Sequence, residues 1–201
     1  MTLEKRALAA APELRVAGSA KMAAGYAALF NSRMQFGDWF AEEIAPGAFS
    51  ETLKTADVRA LIDHNSGRVI GRSTAGTLRL KEDERGLMAE IDLPDTTDGR
   101  DLATLLERGD ISGMSFGFRV TKETWDETGD MPIRTIQAVD LFEVSAVAFP
   151  AYEDTEIALR SLEGMRKKTE AEREQREKDR IHKQSGYLIR KAEQENKLRK
   201  I

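Results

Sequence analysis

The sequence predicts an α+β fold: a mainly antiparallel β-barrel or sandwich carrying a few helices on its outside, followed by a charged helical tail. Three observations lead there. Short apolar runs alternate with turn signals, roughly every 8–15 residues, up to about Arg160. These runs follow one another with little helix between them, which favours hairpins over βαβ units. Past Arg160 the composition shifts to dense charge, so the chain divides into residues 1–160, a compact domain, and residues 161–201, a tail.

The elements come in order. "AAGYAALF" (23–30) has the apolar make-up of a strand, and "PGAFSETLKTA" (46–56) that of a short helix with Pro46 or Ser50 near its start. "VRALIDH" (58–64) alternates like a strand, with Val58, Ala60, Ile62 and His64 on one face. "GTLRLKEDERGLMAEIDLP" (76–94) is a hairpin pattern turning at Asp83–Gly86. "DGRDLATLLERGD" (98–110) is amphipathic: Asp98 is a suitable N-cap, Leu102, Leu105 and Leu106 form one face, and Gly109 ends it. Residues 113–125, 133–141 and 142–149 are strand-like.

The tail has its own logic. Glu163–Lys200 holds 13 Lys/Arg and 8 Asp/Glu, a net of +5 that leaves −9 for the rest of the chain. Opposite charges stand three or four residues apart, as in Glu170/Arg173 and Glu174/Lys178. Such pairs support a solvated helix by roughly 0.2–0.5 kcal/mol each. Apolar residues are too few for a packed face. The tail is thus either a plain solvated helix or a handle for docking or processing.

Composition removes several chemistries. With no cysteine, disulfides, thiolate nucleophiles and cysteine metal sites are excluded. No apolar run approaches the roughly 20 residues of a membrane span. The start "MTLEKRALAAAPELRVAG" is basic, but Pro12 and Glu13 break its alanine stretch, so no signal peptide and a cytoplasmic location are expected. Only His64 and His182 are available for a histidine-dependent mechanism.

Three residues stand out in the first 160. Ser115 lies in "GMSFGF", where Met114, Phe116 and Phe118 share one face and Gly113 and Gly117 clear the other. A nucleophilic hydroxyl needs that clearance; a tight strand crossing leaves the same pattern. Glu143 sits in an apolar strand, on the face of Leu141, Ser145 and Val147. A carboxylate there is costly unless paired. His64 is a natural partner, and an ion pair with Arg119 or Arg134 is the plain alternative. The G-x-S-x-G match at 113–117 suggests a nucleophile elbow, but that fold needs a histidine after the acid. The only histidine after Ser115 is His182, deep in the tail. The usable order is His64, Ser115, Glu143.

The blocks "DWFAEEIAPGAF" (38–49), "LIDHN" (61–65), "GTLRL" (76–80), "RGDISGMSFGF" (108–118) and "DLFEVSAVAFPAYEDTEIALR" (140–160) together resemble the prohead maturation protease family of tailed bacteriophages. The resemblance spans roughly residues 14–160. It implies a β-barrel surrounded by helices, as in the herpesvirus assemblins, and a serine endopeptidase acting inside the procapsid in the host cytoplasm. It implies His64 as general base, Ser115 as nucleophile and Glu143 as the residue orienting the histidine. Asp140 is the competing acid, and a regular strand through 140–143 sets it on the opposite face from Glu143. The implied partners are the major capsid protein precursor, scaffold segments and the chain itself, as substrate and as homodimer. No metal, cofactor, nucleic acid or membrane is expected. A non-catalytic capsid-assembly or scaffold-like protein with a helical tail is the competing class.

Overall fold

The computed structural model describes residues 3–7, 15–17, 22–148 and 155–198. The chain forms two compact units, Met1–Ile157 and Ala158–Ile201. In the first unit the described strands are β1 (Glu4–Ala7), β2 (Arg15–Ala17), β3 (Met22–Leu29), β4 (Met34–Phe36), β5 (Phe40–Ile44), β6 (Arg59–Ile62), β7 (Asn65–Arg72), β8 (Leu78–Glu82), β9 (Gly86–Asp92), β10 (Gly113–Asp126) and β11 (Ile133–Val147). Helix α1 (Thr52–Thr55) is a single turn and α2 (Thr97–Arg108) is the longer one. The second unit is built on α3, Thr155–Leu198.

The strands form two sheets and do not close into the expected barrel. A four-stranded sheet runs β2-β3-β9-β8, all antiparallel. A seven-stranded sheet runs β1-β10-β11-β5-β4, with β6 and β7 joined to β11 off that path. The reason lies in β11. The runs 133–141 and 142–149, read separately in the sequence, form one strand ending at Val147; Phe149 lies outside the described residues. One edge of β11 pairs with β10. The other is divided between two short parallel partners, β5 along Ile133–Ile136 and β6 along Glu143–Ala146. Neither partner carries the sheet round to β1, so the sheet stays open.

One apolar core serves both sheets. Met114, Phe116 and Phe118 of β10 and Leu141, Val144 and Ala146 of β11 meet Ala89 and Ile91 of β9 and Leu102 and Leu106 of α2. Phe49 sits between Phe30 and Phe116, with ring centroids 6.3 and 5.5 Å away. Burying each such ring stabilises the fold by about 1.5–3 kcal/mol. The hairpin at Asp83 turns as expected, because the Asp83 carboxylate accepts the amides of Arg85 and Gly86. Helix α2 starts two residues earlier than a cap at Asp98 predicts. Thr96, not Asp98, caps it by accepting the Gly99 amide, and Asp98 instead binds Arg68. Gly109 closes the helix in the left-handed conformation, at φ 77°. The predicted helix at 46–56 shrinks to α1 preceded by turns.

The same sheet buries charge. Arg6 of β1 binds Glu4 at 2.8 Å and Glu42 of β5 at 2.6 Å. Arg134 of β11 binds the same two carboxylates, each at 2.8 Å, and also Glu123 of β10. Burial works against the Arg134 charge, but the hydrogen bond to Glu4 and the charges of Glu42, Glu4 and Glu123 outweigh it and raise its pKa. The two guanidiniums and the two buried carboxylates tie β1, β5 and β11 together. Replacing Arg134 with Met leaves Glu4 and Glu42 with only Arg6 between them. Loss of one partner of a buried pair costs about 3–5 kcal/mol, so urea unfolding of Arg134→Met should show a loss of that size; an unchanged midpoint would mean the network contributes no net stability.

Candidate functional site

Ser115 and Glu143 lie on paired strands. The register of β10 with β11 sets Ser115 opposite Ser145 and Gly117 opposite Glu143. Directly opposed residues point to the same side, so these four share a face. Phe116 and Val144 point the other way, into the core.

A β-bulge decides which face Glu143 takes. Gly117 pairs with Glu143 but Phe118 pairs with Leu141, so Phe142 is an extra residue in β11. Regular alternation would put Leu141 and Glu143 on one side. The bulge separates them: Leu141 faces the core with Val144 and Ala146, and Glu143 faces outward with Ser145. The bulge also removes the basis for setting Asp140 opposite Glu143. Asp140 is exposed and pairs in register with Arg119.

His64 reaches this face from a turn, not from a strand. Strand β6 ends at Ile62, and Val58, Ala60 and Ile62 all point into the core. Asp63 and His64 then take left-handed backbone angles, φ 47° and 56°, and Asn65 pairs back with Ile62. This is a two-residue hairpin of the kind that normally carries Asn-Gly. Each side-chain-bearing residue in that conformation costs roughly 1–2 kcal/mol. The turn is held by β11: the Asp63 amide donates to the Ala146 carbonyl at 2.9 Å and the His64 amide to Ser145 Oγ at 3.2 Å. The expected shared face of His64 with the β6 apolar residues is therefore wrong. The turn swings the ring away from the core and over β11.

There the Nδ1 of His64 lies 2.6 Å from Glu143 Oε1. Both side chains are largely buried, 15 % and 10 % exposed. The second oxygen of Glu143 accepts the Ser145 hydroxyl, also at 2.6 Å. The alternative arginine partners are engaged elsewhere, Arg134 in the buried network and Arg119 over the Phe142 ring at 5.2 Å.

Ser115 is adjacent but turned aside. Its side chain is buried, and its hydroxyl donates to the Arg6 carbonyl of β1 at 2.8 Å. Among the described residues no hydrogen bond joins Ser115 to His64. The clearance beside it is also partly filled: a Cβ on Gly117 would stand 2.3 Å from Glu143 Oε1. So Gly117 admits the carboxylate; it does not leave an empty slot for substrate. His182 lies exposed on α3. No group of three or more His, Asp or Glu among the described residues is placed to hold a metal ion.

The alternation along 141–147 puts Ser145 on the Glu143 face but marks no role for it. The signal was the spacing of two between a buried carboxylate and a hydroxyl on one strand. The Asp63–His64 turn was missed because neither residue is glycine or asparagine.

A histidine joined to a buried carboxylate, on a sheet face that also carries a serine, is the side-chain set used by serine hydrolases. Here it is built on the seven-stranded, mostly antiparallel sheet, not on a doubly wound parallel one. The chain belongs to the caudovirus prohead serine protease family, whose model matches residues 10–168. It is 33 % identical over 162 residues to the prohead protease of Enterobacteria phage HK97, a match covering 76 % of this chain and 67 % of that protein. It is 31 % identical over 105 residues to the prohead protease of Escherichia phage T5, covering 52 % and 47 % respectively. The chain thus spans about two thirds of one relative and under half of the other. No solved structure matches it.

Gly117 offers a direct check on this geometry. Gly117→Ala pushes a methyl group into the Glu143 carboxylate, which is the end of a flexible side chain and can move. The expected outcome is a fold close to wild type, with the far-downfield proton resonance of the His64–Glu143 hydrogen bond lost. A retained resonance would show that the carboxylate is not seated over Gly117.

Proposed function

We propose that the protein is a serine endopeptidase of phage head maturation in which Ser115 is the nucleophile, His64 the general base and Glu143 the residue that orients it. The 2.6 Å contact between His64 and Glu143, on the face shared with Ser115, carries this reading. With Nδ1–H donating to Glu143, the His64 tautomer leaves Nε2 free to accept a proton. The Ser115 hydroxyl gives up its Arg6 acceptor and turns to Nε2. As Ser115 Oγ attacks the peptide carbonyl, His64 takes its proton, and then passes it to the leaving amine. Water, deprotonated by His64 in turn, releases the acyl group and restores the serine. The nearby Glu143 charge stabilises the imidazolium in both halves.

The family and the names of its relatives support a place inside the procapsid, with the capsid precursor and scaffold segments as substrates. Self-cleavage within 161–201 extends the reading. Residues 163 to 182 of α3 are mostly exposed, and ion pairs such as Glu174–Lys178 stand on its surface, so an extended stretch is easily released from it. A homodimer and the absence of nucleic-acid and membrane partners also belong to this proposal.

Co-expression with the capsid precursor tests it. Ser115→Ala should abolish precursor cleavage, and intact mass should show the variant retaining its full length where the wild type is trimmed after Arg160. Glu143→Gln should slow cleavage by roughly 10⁴-fold, the scale seen when a triad acid is neutralised, while Asp140→Asn stays near wild type. Unchanged cleavage by Ser115→Ala would remove Ser115 as the nucleophile, and an absence of cleavage by the wild type would return the protein to the scaffold-like class. A reversed ranking of the two acids would move the orienting role to Asp140.

A further inference from the structure

The Ser145 hydroxyl is fully buried and joins two parts of the site at once. It donates to Glu143 Oε2 at 2.6 Å and accepts the backbone amide of His64 at 3.2 Å. Each contact fixes something different. The Glu143 carboxylate has His64 on one oxygen and Ser145 on the other, so it cannot swing about its last bond without breaking one of them. The His64 backbone is held in a left-handed conformation that its side chain disfavours. An acceptor for its amide helps keep it there. The neighbouring links, Asp63 amide to Ala146 and Asp63 Oδ1 from the Ala148 amide, anchor the turn but do not touch the carboxylate. Among the described residues only the Ser145 hydroxyl touches both the histidine backbone and the carboxylate.

We propose that Ser145 is a positioning residue that sets the His64–Glu143 pair, acting on the histidine through its backbone and on the carboxylate through Oε2. This rests on the assignment of His64 and Glu143 to the reaction. Removing the hydroxyl frees the carboxylate to rotate and lets the turn relax, so the imidazole loses its fixed direction. The effect falls on the chemical step, because Ser145 is buried beneath the pair and reaches no substrate.

The test uses the full-length chain and two readouts: steady-state cleavage of a peptide from the capsid precursor, and the downfield proton resonance of the His64–Glu143 bond. Ser145→Ala is expected to stay folded, to lose or shift that resonance, and to lower kcat by 10-fold or more with KM within about threefold. Ser145→Thr restores the hydroxyl and should recover both readouts. Ser145→Val matches threonine in shape without the hydroxyl and should not. An intact resonance with kcat within threefold in Ser145→Ala overturns the proposal. So does failure of Ser145→Ala to fold, which assigns the hydroxyl to stability, or equal behaviour of the Thr and Val variants. The resonance reports the pair whether or not the enzyme turns over. A wild type that shows the resonance but cleaves nothing therefore overturns the catalytic reading, while the Ser145 variants still decide its positioning role.

Discussion

Where β10 meets β11 at Gly117/Phe118 the register shifts by one extra residue, Phe142, and the faces of β11 around Glu143 are counted from it. Without the bulge, Glu143 would follow Leu141 into the apolar core, where an ionised carboxylate is prohibitively costly. With it, Leu141, Val144 and Ala146 remain in the core, while Glu143 and Ser145 turn outward opposite Gly117 and Ser115. The small residues on β10 then have a structural purpose. Only a glycine at 117 lets the Glu143 carboxylate lie across the sheet.

The histidine depends on the same strand. Parallel pairing with β11 ends β6 at Ile62, and the next two residues adopt a turn that neither side chain favours. Hydrogen bonds to Ser145 and Ala146 offset that strain. Backbone strain persists where surrounding structure holds it in place, and here the holder is the strand that also carries the carboxylate. On the far side of β10, the edge strand β1 is fixed by the Glu4–Arg6–Glu42–Arg134 network, and its Arg6 carbonyl takes the Ser115 hydroxyl. The candidate site thus has two halves, a joined His64–Glu143 pair and a serine engaged with the chain's own strand β1.

Much of this was legible in local pattern. The 3.6-residue spacing of α2, the Asp83–Gly86 hairpin and the apolar face of Met114, Phe116 and Phe118 are short-range features, and the structure has them where the pattern puts them. With only two histidines in the chain, His64 is the one that falls within the strand-rich part. What escaped depends on contacts between distant residues. The bulge is silent because "LFEVSAV" is apolar on both faces, so an extra residue leaves no break in the alternation. The buried network joins Arg6 to Glu42 and Glu4 to Arg134, residues 36 and 130 positions apart. The barrel failed for a similar reason, since nothing local announces that one edge of β11 is shared between β5 and β6. Asp98 and Thr96 are both good caps, and the Arg68 partner of Asp98 settled which one served.

The central claim is that Ser115 becomes nucleophilic through His64. Its most direct test is covalent labelling with a fluorophosphonate, followed by peptide mapping of the adduct. The account predicts one adduct, on Ser115, in the wild type and none in His64→Ala at the same exposure. An adduct on another hydroxyl, or labelling of Ser115 that survives the loss of His64, would contradict it.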